Sequence, residues 1–257
     1  MCILFIAIEQ HPDYPLIICA NRDEFYARPT EPVHFWPTLP SLLAGKDRQA
    51  GGTWLGVDAS GSFAAVTNLR TGQSTDLNAK SRGQLILDAL KPNSQINETW
   101  LKTNGYRYNP FNLVYGDVEQ LYCYNSALKQ QMPLTRGFHA VSNGAMDDIW
   151  PKMARGKCQL EKLIANGDAI DAEQLFAILQ DQTQAKEHLL PQTGISPQWE
   201  KLLSSIFIQS ESYGTRSSTI VLLNGDGQLS FYERQFGPLG KAGKTQVFQL
   251  TLAPKFR

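Results

Sequence analysis

Cys2 is the residue of this chain best placed to act as a nucleophile, because it follows Met1 and is small enough to permit removal of the initiator methionine. Removal would leave a thiol and a free α-amine on one residue, and the amine can then serve as general base for its own side chain. Reference pKa values of roughly 8.5 for the thiol and roughly 7.7–8.0 for the amine make that proton transfer nearly balanced. The same position also reads as the first apolar residue of a buried strand, since free cysteine is commonly buried.

Further polar groups stand where strands or turns would display them. Asn21-Arg22-Asp23-Glu24 follows an apolar run and also reads as a solvated loop. Beside Cys2, Asp23 could accept a hydrogen bond from the ammonium and Arg22 could favour a thiolate. Gly51-Gly52-Thr53-Trp54-Leu55-Gly56 suggests close backbone approach and an aromatic wall, with a tight turn and a core Trp as the plainer reading. It lacks the Lys-Ser/Thr of a P-loop and the dinucleotide fingerprint. Asn68 and Asn143 end apolar runs, and a side-chain amide there can donate to an oxyanion. Taken singly, each also reads as a turn residue. Arg216, in Tyr213-Gly214-Thr215-Arg216-Ser217-Ser218, enters an apolar strand and calls for a carboxylate, with Asp23 as candidate, or for an anionic group of a substrate.

The elements that must position these groups run strand-rich, then helical, then strand-rich. Residues 2–8 and 16–21 are apolar runs of strand length joined by a turn with Pro12 and Pro15, a hairpin that brings Asn21–Glu24 beside Cys2. Their near-continuous apolarity predicts cover on both faces. Residues 27–47 carry Pro29, Pro32, Pro37 and Pro40 and read as an irregular loop. Residues 53–57 and 63–68 form a second hairpin, and 219–223 and 229–232 a third across Asn224-Gly225-Asp226-Gly227. Further strands are expected at 111–115, 121–124, 139–142, 206–208 and 245–252. Helices are expected from Ser81 to Pro92, from Pro151 to Ile164, and after the capping-box pattern Asp171-Ala172-Glu173-Gln174. Roughly ten strands and three or four helices, with the helices mid-chain, suit two sheets covered by helices, an α+β sandwich.

Composition excludes several classes. Hydrophobic residues at 42% and charged residues at 19% describe a globular chain, and 24 Lys plus Arg against 24 Asp plus Glu give bulk charge no preference for nucleic acid or acidic membranes. No segment approaches the roughly 20 apolar residues of a membrane span, and residues 2–8 lack the basic start of a signal peptide. Cys2, Cys19, Cys123 and Cys158 show no CxxC spacing and read as reduced thiols in the cytoplasm. The four histidines are equally scattered, so no metal site is expected. No linker divides residues 1–257, which are expected to form one domain.

Together, Met1-Cys2-Ile3, Cys19-Ala20-Asn21-Arg22-Asp23-Glu24, the Gly51–Gly56 run, Val66-Thr67-Asn68, Val141-Ser142-Asn143-Gly144 and Tyr213–Ser218 resemble the NRDE family, also called the transport and Golgi organisation protein family. The resemblance implies a four-layered αββα fold related to the N-terminal nucleophile hydrolases, most closely the choloylglycine and penicillin V acylases, which cleave linear amides. It implies Cys2 as nucleophile, Asp23 as the group orienting the α-amine, Asn68 and Asn143 as oxyanion and amine-binding residues, and Arg216 as the family's late arginine. Arg22, Trp54 and Gly52 are the candidate substrate-binding residues. The acylases carry Arg-Asn-x-Asp where this chain has Ala20-Asn21-Arg22-Asp23, so Arg22 is expected to point away from the place of the acylase arginine. The expected activity is hydrolysis of a small-molecule linear amide, with no cofactor required. The alternative, implied by eukaryotic relatives associated with haem trafficking and acyl-lipid metabolism, is a non-enzymatic carrier of haem or an acyl ligand. For haem the chain has no CxxCH, and any axial ligand would come from an isolated side chain.

Overall fold

A computed structural model describes residues 2–167 and 169–252. The chain opens with β1 (Cys2–Ile8), β2 (Leu16–Phe25), β3 (Thr30–Trp36), β4 (Leu39–Asp47), β5 (Leu55–Asp58) and β6 (Ser62–Asn68). Helices α1 (Gly83–Ala89) and α2 (Glu98–Asn104) lead to β7 (Phe111–Asp117), β8 (Gln120–Asn125), β9 (Gln130–Pro133) and β10 (Gly137–Val141). Then follow α3 (Pro151–Ala165), α4 (Ala172–Leu179), α5 (Pro197–Leu202), β11 (Tyr213–Leu223), β12 (Gln228–Phe236) and β13 (Ala242–Thr251).

The strands form two antiparallel sheets, one ordered β10-β1-β2-β11-β12-β13 and the other in sequence order from β3 to β9. Alternation along each strand divides the apolar side chains between two cores. From β1, Leu4 and Ile6 pack between the sheets against Leu55, Val57, Phe63 and Val114. Ile3, Phe5 and Ala7 point the other way, onto Met153 and Leu160 of α3 and Leu175 and Phe176 of α4. On the far side, Ala64, Val66 and Leu113 pack under Leu85 and Ile86 of α1 and Leu101 of α2. Burying each large aliphatic side chain contributes about 1.5–3 kcal/mol, so both faces of β1 are held. The result is a four-layered αββα sandwich, as the sequence predicts.

Local signals place the helices. Pro151 occupies the first turn of α3, and Asp171 and Gln174 close a capping box at α4. Gly156 of α3 lets the Phe5 ring lie against the helix, where a Cβ would collide with it. Among the described residues there are thirteen strands and five α-helices, more than the sequence reading counts.

Two expectations are corrected. Residues 27–47 are not a loop but contain β3 and β4, with β3 at the edge of its sheet. The register slips between Glu31 and His34, so Pro32 sits at an irregularity on an edge, where its missing N–H breaks no ladder. Residues 206–208 are not a strand. Their backbone groups go to scattered partners instead of a ladder: the Ile206 carbonyl accepts from Asn21 Nδ2 at 2.9 Å, the Phe207 N–H donates to the Asp181 carbonyl at 2.9 Å, and the Ile208 N–H donates to Thr215 Oγ1 at 2.9 Å. No helix among the described residues is long and apolar enough to cross a membrane.

Candidate active site

The β1–β2 register sets Cys2 directly opposite Arg22, with Ile3 opposite Asn21. Opposed residues of an antiparallel pair share a face. Cys2 and Arg22 therefore look toward the second sheet, on the side of Leu4 and Ala20. This corrects the expectation for Arg22: positions 20 and 22 are two apart and lie on one face, so the shifted arginine still reaches the face of Cys2.

Both residues open onto a cleft of about 350 Å³ lined also by Asp23, Trp54, Asn68 and Arg82. Trp54 enters from the turn before β5. Its ring faces the Arg22 guanidinium, whose carbon lies 4.2 Å from the ring centroid, a cation–π contact. Gly45 makes room for that ring, since a Cβ there would collide with Trp54. Gly52 is not on the cleft surface. It lies against the backbone of Gly83, where a Cβ would meet the Gly83 carbonyl carbon at 2.5 Å. The close approach read from the glycine run is therefore present, but it fixes the start of α1 and not a ligand.

Asn21 and the Asp23 side chain belong by alternation to the opposite face of β2, although Asp23, near the strand end, also borders the cleft. Asp23 Oδ1 accepts a 2.7 Å hydrogen bond from Thr215 Oγ1, its partner across the strands. Between Thr215 and Ser217 the β11 register shifts by one residue. Arg216 is the extra residue of this bulge, and bulges re-aim side chains. Its guanidinium donates to the carbonyls of Phe25 and Arg28, each at 2.9 Å, and to Thr30 Oγ1 at 3.1 Å. The expected Arg216–Asp23 ion pair is thus replaced by an anchor for the β2–β3 connection, with Thr215 serving Asp23.

Asn143 is buried behind Asn68. Its Nδ2 donates to the Asn68 carbonyl at 2.9 Å, and its Oδ1 accepts from Arg70 at 3.3 Å and Lys152 Nζ at 3.5 Å. Lys152 also donates to the Leu203 carbonyl at 3.1 Å, and Arg70 pairs with buried Glu200 at 3.0 Å. The sequence reading misses Lys152, Arg70, Glu200, Thr215 and Arg82. Their partners are distant in the chain, and a lysine in the first turn of a helix reads as solvated.

Burial governs the protonation of this region. It pushes the Cys2 thiol up; Asp23 adds to the rise, while Arg22 and a hydrogen bond from the Asp23 backbone N–H favour the thiolate. Burial likewise pushes Asp23 up, against the pull of Lys152 and the Thr215 hydrogen bond. Lys152 is lowered to about 8, first by burial and then by Arg70. At neutral pH the arrangement holds Cys2 as a protonated thiol beside cations, so attack needs a base.

Residues 1–238 match the family described as Transport and Golgi organisation 2. The chain belongs to that family. Relatives within it include the Homo sapiens Transport and Golgi organization protein 2 homolog, 33% identical over 91% of this chain and 92% of that protein. The Drosophila melanogaster Transport and Golgi organization protein 2 is 28% identical over 96% of this chain and 97% of that one. Among solved structures, the C2A mutant of conjugated bile acid hydrolase from Clostridium perfringens matches with a TM-score of 0.52 and 11% identity, over 100% of this chain and 99% of that one. At that identity the likeness concerns fold. The chain shares its sandwich fold with that hydrolase.

Proposed function

We propose that the protein is a cysteine amidohydrolase acting on a small linear amide, with Cys2 as nucleophile after removal of Met1, which lies outside the described residues. The observation that carries this reading is Cys2 itself, at the start of β1, open to a cleft and directly opposite Arg22. The protonated state that burial favours for its thiol is the state an α-amine base would relieve. In the reaction the sulfur attacks the amide carbonyl carbon while its proton passes to the α-amine. The C–N bond then breaks, that proton goes to the leaving amine, and a thioester remains. Water attacks the thioester, releasing a carboxylic acid and restoring the thiol. Asp23 orients the amine. Asn68 lines the cleft, whereas Asn143 Nδ2 already donates to the Asn68 carbonyl, so Asn68 is the stronger oxyanion donor of the two. The fold likeness to a hydrolase whose studied variant replaces the cysteine at position 2 supports the reading.

Intact mass of the native, untagged protein tests the requirement: Met1 retained would sink the proposal. Loss of N-acyl amide turnover in Cys2→Ala tests the rest. The carrier alternative uses the same cleft without turnover. Haem is its first candidate ligand, and spectral titration without saturable binding removes that version.

A further inference from the structure

Four cations, Arg22, Arg28, Lys80 and Arg82, and four carboxylates, Asp23, Glu24, Asp47 and Asp76, line the cleft, but they are unevenly paired. Arg28 takes up two carboxylates: its Nε and Nη2 both lie 2.7 Å from Asp47 Oδ2 and its Nε lies 3.8 Å from Glu24 Oε2, while Asp47 Oδ1 accepts from the backbone N–H groups of Gln49 and Ala50. Arg22 reaches the same carboxylate only at 4.0 Å and is 6% exposed. Arg82 donates from Nη1 to the Pro110 carbonyl at 3.0 Å and has no carboxylate within ion-pair distance among the described residues. Two guanidinium groups thus border the space beside Cys2 with most of their donors uncommitted to an anion. A largely buried guanidinium without a carboxylate is costly, and a bidentate carboxylate is the partner its planar fork fits best. The Trp54 ring lies 4.2 Å from the Arg22 guanidinium carbon, and a ring face uses none of the N–H donors that a carboxylate would take.

We propose that Arg82 and Arg22 form an anion subsite, so that the ligand of this cleft carries a carboxylate near its amide, as an N-acyl amino acid does, and that Arg82 determines the preference over neutral amides. This deepens the amidohydrolase reading and rests on it for the position of the amide. Apolar Val66 and the Trp54 ring border the same space and suit an attached acyl chain.

The test separates binding from turnover. N-decanoylglycine and N-decanoylethanolamine are titrated calorimetrically against the full-length Cys2→Ala protein, which cannot form a thioester. The expected result is tighter binding of the glycine conjugate by about tenfold or more, a preference that falls with added salt. In Cys2→Ala/Arg82→Gln the preference should collapse, and in Cys2→Ala/Arg82→Lys part of it should survive, with thermal unfolding confirming that each variant is folded. Equal affinity for the two probes, a preference untouched by Arg82→Gln, or binding of neither overturns the proposal. A preference that survives while wild type turns over neither probe overturns the hydrolase reading alone. Equal turnover with equal binding overturns the subsite alone.

Discussion

Thr215 and Asp23, 192 residues apart in the chain, face each other across β11 and β2 and share a 2.7 Å hydrogen bond inside the protein. Thr215 Oγ1 also accepts from the Ile208 backbone N–H at 2.9 Å, so one hydroxyl serves a carboxylate and an irregular segment together. Thr215→Val keeps the shape and removes both bonds. The buried Ile208 N–H is then left without its acceptor, at about 1–3 kcal/mol, and Asp23 loses one of its hydrogen bonds, so urea unfolding should show a loss of at least that size. Thr215→Ser should recover most of it. An unchanged midpoint for the valine variant would contradict the role given to Thr215.

Arg22 stands directly opposite Cys2 in the strand register, and its charge opposes the effect of burial on the thiol. Arg22→Gln removes that opposition, so the pH midpoint for alkylation of Cys2 by iodoacetamide should move upward. Arg22→Lys keeps the charge but loses the guanidinium over the Trp54 ring, and should move it less. Peptide mapping separates Cys2 from exposed Cys158 and from buried Cys19 and Cys123, the last pushed up to about 12 by burial. A midpoint unmoved by the glutamine change would uncouple Arg22 from the nucleophile.

Gly52 tests the backing of the cleft wall. A Cβ there would lie 2.5–2.9 Å from the backbone of Gly83, which cannot rotate aside as a side chain could. Overpacking of this kind costs about 1–3 kcal/mol. Gly52→Ala should lower the unfolding midpoint accordingly. Gly225→Ala, at a turn where the added carbon meets nothing within 4 Å, is the control and should leave stability nearly unchanged.

Legibility from sequence followed the range of the interactions. The β1–β2 hairpin, the α4 capping box and the Asn224–Gly227 turn depend on neighbours in the chain, and each is found where local pattern places it. Arg22 beside Cys2 follows from the hairpin alone. The course of Arg216 does not, because a one-residue bulge is visible only once β11 is paired with β2. Prolines in residues 27–47 mislead for a related reason: they exclude an interior strand, yet edge position and register slips admit them. Lys152 was least legible, since its burial depends on Asn143 and on the Leu203 carbonyl, 51 residues away.

Lys152 carries a pH dependence whose sign is fixed by its burial. Its pKa falls from an ordinary 10.5 to about 8 in the folded protein, through burial first and Arg70 second. Below about pH 8 both folded and unfolded chains hold the proton, and the cost of the buried charge is present in full. Between about 8 and 10.5 the unfolded chain still binds the proton while the folded chain has released it. Stability therefore rises with pH across that window, by up to about 3 kcal/mol for this group. Lys152→Met has nothing to titrate there. Urea unfolding at a series of pH values should give a wild-type minus variant difference that is flat below pH 8 and climbs above it. Tyrosine and surface-lysine titrations common to both proteins drop out of that difference. A flat difference up to pH 10.5 would mean that Lys152 keeps its proton in the fold, held by Asp23 and Glu200 more strongly than burial expels it.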